Sequence, residues 1–102
     1  MNTQINMEDM QQHASEAAGL LKALANESRL MILCTLMQGE LSVGQLNEMV
    51  PLSQSALSQH LAALRQAELV QTRRESQTIY YRLCGERSIK VIEVLHSIFC
   101  AK

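Results

Sequence analysis

LSQSALSQHLAALRQAELV, residues 52–70, is the stretch from which the rest of the chain can be read. Ser53 is a good helix N-cap, and Leu57, Leu61 and Leu64 recur at i, i+4 and i+7, the seam of an amphipathic helix running to about Ala67. With Leu57 pointing inward, Ser58, Ala62, Ser55, Gln66 and Gln59 fall about 100° to 200° away, at roughly 100° per residue. That outward face is polar, uncharged and small. A helix face turned only to water more often carries Lys and Glu. Small hydroxyls and carboxamides suit close approach to nucleic-acid base edges, where Gln can pair with adenine through two hydrogen bonds and Ser can serve bases or phosphates. His60 falls near 300°, at the edge of the buried arc, with Leu64 rather than a second ligand at i+4. It reads as a hydrogen-bonded core histidine or a phosphate contact, not as a metal ligand.

Working outward, Ser42 stands three residues before Gln45, the capping-box pattern, and opens a short helix with Val43, Leu46 and Met49 inward. Pro51, the only proline, stops it. Downstream, Leu69–Arg74 and Thr78–Leu83 are rich in Val, Thr, Ile and Tyr around a polar Glu75-Ser76-Gln77 connection, which predicts a β-hairpin. Helix, turn, helix and basic hairpin, in that order, make a winged helix-turn-helix domain, whose second helix enters the major groove. Arg73 and Arg74 flank the hairpin tip, where they could reach phosphate, although charge that protects an edge strand would look the same. Tyr80 and Tyr81 point to opposite faces, one inward and the other free to lean on DNA.

The flanks complete an ααααββα order, mainly α with a β-hairpin wing. Met10, Ala14, Ala17, Leu21 and Leu24 form one helical seam, after residues 1–9 as a flexible N-terminus. Asn26 caps a second helix that ends at Gly39, with Leu30, Leu33, Cys34 and Met37 on one stripe and Ile32 and Leu36 on another. A last helix runs from about Glu86 to Cys100. On it Val91, Ile92, Val94, Leu95, Ile98 and Phe99 cover roughly 160° of arc, more than the 100° or so that a surface helix needs. One small domain does not bury such an arc alone, so the first and last helices are expected to form a two-fold homodimer interface.

The 102 residues make one domain; they are 47% apolar and 19% charged, so neither disordered nor fibrous, and 3% aromatic, which speaks against an all-β sandwich. No apolar run approaches the roughly 18 residues that span a bilayer, and Met1–Asp9 is polar and acidic, unlike a secretory leader. A cytoplasmic protein without membrane partners is expected. The net charge of −1 and pI near 6.3 hide an asymmetry. Acidic residues dominate positions 1–50, whereas Arg65, Arg73, Arg74 and Arg82 outnumber Glu68 and Glu75 in 51–82, leaving room for one basic face. Cys34, Cys84 and Cys100 form neither a CxxC motif nor a paired framework. By its stripe alone Cys34 is a small buried hydrophobe. Cys100 should be partly exposed beside Glu93 and His96, which would push its thiol pKa in opposite directions.

NESRLMILCTL, ELSVGQL, LSQSALSQHLAALRQAELV and TIYYRL, in this order, resemble the ArsR/SmtB family of dimeric winged-helix repressors. Cys34 in ILC and Cys100 in HSIFC are similar to its HlyU-type haemolysin regulators and the related sulfide-responsive repressors. The resemblance covers about residues 16–100. It implies a transcription factor that binds double-stranded promoter DNA as a homodimer, with Gln54, Ser55, Ser58, Gln59 and His60 near DNA, and the hairpin, with Arg73, Arg74 and Gln77, as the wing. It also implies that Cys34 and Cys100 are joined by oxidants or reactive sulfur to loosen DNA binding, and that activation of virulence genes works by relieving silencing, in competition with a nucleoid protein.

Two departures bear on metals. Ser42 and Gly44 stand where the arsenic-sensing branch has cysteines, and the last helix offers only Glu93 and His96, with Ile89 and Lys90 where the zinc-sensing branch has partners. Neither a metal site nor a cofactor is expected, since three or four convergent ligands are needed. The competing readings are a constitutive DNA-binding regulator with structural cysteines and, further off, a metal-responsive repressor, a thiol enzyme or a protein-interaction module. The lack of CxxC, of a Gly-rich loop and of an acid–base cluster speaks against the enzyme.

Overall fold

A computed structural model describes residues 4–100. The elements are α1 (Met7–Leu24), α2 (Glu27–Leu36), β1 (Leu41–Ser42), α3 (Val43–Met49), α4 (Gln54–Gln66), β2 (Val70–Glu75), β3 (Thr78–Leu83) and α5 (Arg87–Phe99). The winged helix-turn-helix order is therefore present, with one strand more than the sequence pattern indicated.

Caps set most of the boundaries. The Asn6 carboxamide accepts from Glu8 N at 2.9 Å and Asp9 N at 3.2 Å, and the acidic first turn complements the helix dipole. This start lies three residues before the apolar seam, because periodicity marks where contacts begin and the cap marks where the helix does. Residues 7–9, expected within a flexible N-terminus, are helical, and residues 1–3 of that expectation lie outside the described residues. Asn26 caps α2 through Arg29 N at 3.1 Å. The capping box of α3 is complete: Gln45 N donates to Ser42 Oγ at 3.1 Å and Ser42 N to Gln45 Oε1 at 2.9 Å. Asn47 Nδ2 donates to Leu52 O across the turn at 2.8 Å, and Ser53 Oγ accepts from Ala56 N at 3.2 Å to open α4. The reading unit is thus tied at both ends of its turn.

The sheet is antiparallel in the order β1-β3-β2. Glu75 pairs with Thr78, which shortens the expected three-residue connection to Ser76-Gln77, with Ser76 at φ +57°. β1 adds the pairs Leu41↔Tyr81 and Ser42↔Tyr80. Ile32, Leu33, Leu36, Leu46, Leu57, Leu61, Leu64, Leu69 and Val70 form the centre of the core, joined by Ala23 and Leu24 from the end of α1 and Ile92 from α5.

Two expectations about the interior need correction. Met49 is exposed and Val50, the residue after α3, is buried in its place, since a seven-residue helix ending in an extended cap turns that side chain inward. Cys34 is exposed, because α2 buries Ile32, Leu33, Thr35 and Leu36 and turns Met31, Cys34 and Met37 out. The width of the α5 arc has a counterpart in exposure. Val94, Ile98 and Phe99 stand out from the domain, as do Met7, Met10 and Leu21 along α1 and Ile5 just before it.

Candidate nucleic-acid interface and thiol pair

The outward face of α4 stands free of the domain. Gln54, Ser55, Ser58, Gln59, Ala62, Arg65 and Gln66 are all exposed, while Leu57, Leu61 and Leu64 hold the helix to the core. Gln54, Ser55, Ser58 and Gln59 line one shallow concavity at its N-terminal half. Along its flank a groove of about 450 Å³ is bounded by Val43, Ser58, Leu61, Ala62, Arg65, Gln66 and Tyr81. Short uncharged side chains next to an open groove leave hydrogen-bonding groups accessible without a ring of charges to desolvate, which direct base reading needs.

His60 is half-buried, and its Nδ1 accepts from Arg29 Nε at 3.2 Å. Arg29 also donates from Nη1 to Ala23 O at 3.4 Å, so one guanidinium links the last turn of α1 to the middle of α4. A neutral His60 that accepts at Nδ1 carries its hydrogen on Nε2. The sequence reading of His60 as a hydrogen-bonded histidine describes this geometry, but its partner Arg29 had no signal in the pattern.

The hairpin distributes its cations unequally. Arg74, at the outer end of β2, and Arg82, on β3, are exposed and have no ion-pair partner among the described residues; Gln77 sits exposed in the turn. Arg73 is different. Its guanidinium, expected to be available to phosphate, is held by Glu40: Nε donates at 2.8 and 2.9 Å to the two carboxylate oxygens, and Nη2 lies 2.8 Å from Oε1. Nη1 reaches Glu75 at 2.9 Å. The bonds to Glu40, and then to Glu75, hold the Arg73 pKa above its already high ordinary value. Tyr80, expected to pack inward or lean on DNA, lies under this guanidinium, 4.5 Å from ring centroid to Cζ, while Tyr81 packs against the core. Glu40, which organises this arrangement, was missed: its partner is 33 residues away, a distance no local pattern spans.

Cys34 and Cys100 are exposed free thiols and Cys84 is half-buried. The Cys34 thiol pKa is raised, first by partial burial of the sulfur and second by the Cys100 thiolate. The second cause means that Cys100, at the end of α5, acts electrostatically on Cys34, on α2. Among the described residues no three His, Cys, Asp or Glu side chains come together as a metal site would need, and no helix is long and apolar enough to cross a membrane.

Residues 26–72, which span α2 to β2, match the family model described as bacterial regulatory protein, arsR family. The chain is 51% identical over 96 residues to the transcriptional activator HlyU of Vibrio cholerae, covering 94% of this chain and 89% of that protein. The structure of reduced HlyU from Vibrio cholerae N16961 superposes with a TM-score of 0.83 at 52% identity, over 91% of this chain and 98% of that one. The transcriptional repressor BigR from Xylella fastidiosa superposes with a TM-score of 0.89 at 43% identity, over 96% and 100%. A homodimeric winged helix-turn-helix DNA-binding domain from Mycobacterium bovis gives a TM-score of 0.76 at 32% identity, over 96% and 89%.

Proposed function

Because this chain belongs to the ArsR family of bacterial regulatory proteins, and is one of its HlyU-like DNA-binding transcriptional regulators rather than an enzyme, we propose that it acts as a homodimer whose DNA affinity is set by its thiols. In this reading α4 enters the major groove of promoter DNA and the wing follows the adjacent backbone. The observation that carries it is the exposed uncharged face of Gln54, Ser55, Ser58 and Gln59 beside a hairpin whose Arg74 and Arg82 have no ion-pair partner among the described residues. Gln59 is the base-reading candidate, worth about 1 to 3 kcal/mol at its base pair if bidentate. Arg65, Arg74 and Gln77 take phosphates, and His60 contributes through Nε2 or by fixing α4.

Dimerisation is supported by the exposed apolar faces of α1 and α5 and by the homodimeric relative. Two reading helices must match half-sites about 34 Å apart, so anything that changes subunit orientation changes affinity. Joining Cys34 to Cys100 would do so. One thiolate attacks a disulfide or polysulfide, expelling a thiolate or hydrosulfide; the second displaces the remaining leaving group, so that the protein loses two protons and two electrons to the reagent. The link ties α2 to the end of α5, the helix proposed to form the dimer. Effectors are therefore oxidants or reactive sulfur acting in the cytoplasm. The similarity to the activator HlyU supports activation and the similarity to the repressor BigR supports repression; in the first case the route is competition against a nucleoid silencing protein at virulence or haemolysin promoters.

Fluorescence anisotropy with labelled promoter DNA, reduced protein and polysulfide-treated protein tests this. Tight binding when reduced, weak binding when treated, and indifference to treatment in Cys34→Ser are expected. Equal affinity in both states of the wild type, with the link fully formed, contradicts the thiol switch and leaves a constitutive regulator.

A further inference from the structure

We propose that Arg73 and Glu40 form a strap that fixes the wing relative to α4, so that Arg73 is a positioning residue and not a phosphate contact. The consequence for affinity rests on the DNA-binding reading above; the strap itself does not.

The sheet is narrow where the wing leaves the body. β1 contributes only Leu41 and Ser42, paired with Tyr81 and Tyr80. Beyond them Ile79, Thr78, the Ser76-Gln77 turn, Glu75 and Arg74 continue as a two-stranded ribbon, an arrangement of marginal stability by itself. Arg73 lies opposite Tyr80 at the root of this ribbon. Glu40 immediately precedes β1, at one edge of the sheet, and Arg73 belongs to β2, at the other, with β3 between them. The ion pair therefore crosses the middle strand, and the guanidinium rests on the Tyr80 ring of that strand at 4.5 Å. One cation thus joins β2 and β3 to the residue that leads into β1.

An isolated surface ion pair contributes little, since water and salt screen it and two long side chains lose freedom. Three features set this one apart. The guanidinium meets Glu40 through a fork of donors, the geometry that adds direction to charge. Glu75 engages the remaining Nη, making a network. The Glu40 side chain is only 26% exposed, so its carboxylate is partly shielded. With Glu40, Glu75 and the aromatic face all engaged, a phosphate would have to displace two carboxylates to reach Arg73.

The strap makes a prediction of opposite sign to charge counting. Removing an acid from a DNA-binding protein should tighten binding to a polyanion, yet Glu40→Gln should weaken it by releasing the wing. Promoter affinity is measured by anisotropy for wild type, Glu40→Gln and Arg73→Gln over a range of salt, alongside hydrogen exchange of backbone amides 70–83 in the DNA-free protein. Both variants should bind about three- to tenfold more weakly, the scale of one forked charge-assisted pair, with the wild-type salt slope, and amides 74–79 should exchange faster while those of α4 do not change. Tighter binding by Glu40→Gln overturns the proposal, as does a slope reduced by about 0.9 in Arg73→Gln, the signature of one lost phosphate contact. Unchanged exchange in the ribbon overturns it too. If wild type shows no DNA affinity, the DNA reading fails and the exchange measurement alone decides the strap.

Discussion

α4 and α5 have similar lengths and each carries an apolar stripe, but the stripes end in different places. Leu57, Leu61 and Leu64 of α4 are at most 1% exposed, closed by the domain's own core, whereas Val94, Ile98 and Phe99 of α5 are 57%, 62% and 80% exposed. A helical apolar stripe reports that something covers it, not whether the cover is the same chain. In α4 the interior seam leaves the opposite face free to be read by a ligand. In α5 and α1 the free face is the apolar one, which points to a second copy rather than to water.

Four substitutions or measurements test this contrast. The largest effect is expected at the closed stripe: Leu61→Ala should lower unfolding free energy by about 2 to 5 kcal/mol in urea titrations, through lost burial and the cavity left behind. A loss under about 1 kcal/mol would mean that α4 is loosely held. At the open stripe Ile98→Glu should leave the protomer's core intact but give monomers in sedimentation, with promoter affinity lower on the order of a hundredfold as the second reading helix is lost. A variant that stays dimeric would move the interface elsewhere.

Between the two helices, Glu68 ends α4 in the left-handed conformation at φ +61°, held by Glu68 N to Arg65 O and Leu69 N to Leu64 O, both at 3.0 Å. Glycine adopts that conformation without a Cβ penalty, so Glu68→Gly should raise stability by about 1 kcal/mol, read as a higher Tm. A lower Tm would show that the Glu68 side chain has a role of its own.

The smallest effect concerns Cys34. Partial burial, and then the Cys100 thiolate, raise its pKa above the ordinary value near 9.0. A group raised in the folded state favours folding in its protonated form; that contribution is present below the unfolded pKa and is lost as pH rises through the folded one. Iodoacetamide should therefore label Cys34 more slowly in the native chain than in the urea-unfolded chain at neutral pH, and the difference should shrink as pH rises past about 9. Faster labelling of the native chain at neutral pH would contradict the raised pKa.

Features set by neighbours in sequence were legible. The capping box of Ser42 and Gln45, the Ser53 cap, the Pro51 break and the leucine seam all depend on residues within a turn or two, and the α4 face followed from them. β1 was not legible, because two residues cannot display an alternating pattern and pair only once β3 is in place. Cys34 shares an apolar stripe in the sequence, yet α2 has apolar residues nearly all round, so periodicity does not say which side faces outward. Arg73 reads as a surface cation, but its partner Glu40 is a matter of tertiary geometry. The same charge that reads as a phosphate contact in one dimension is an internal strap in three.

A second copy covering the exposed faces of α1 and α5 would bring two α4 helices to DNA together. Sedimentation equilibrium of the reduced wild-type chain without DNA tests it directly. A species of twice the 11.4 kDa chain mass at micromolar concentration is predicted, and a monomer under those conditions would contradict the account.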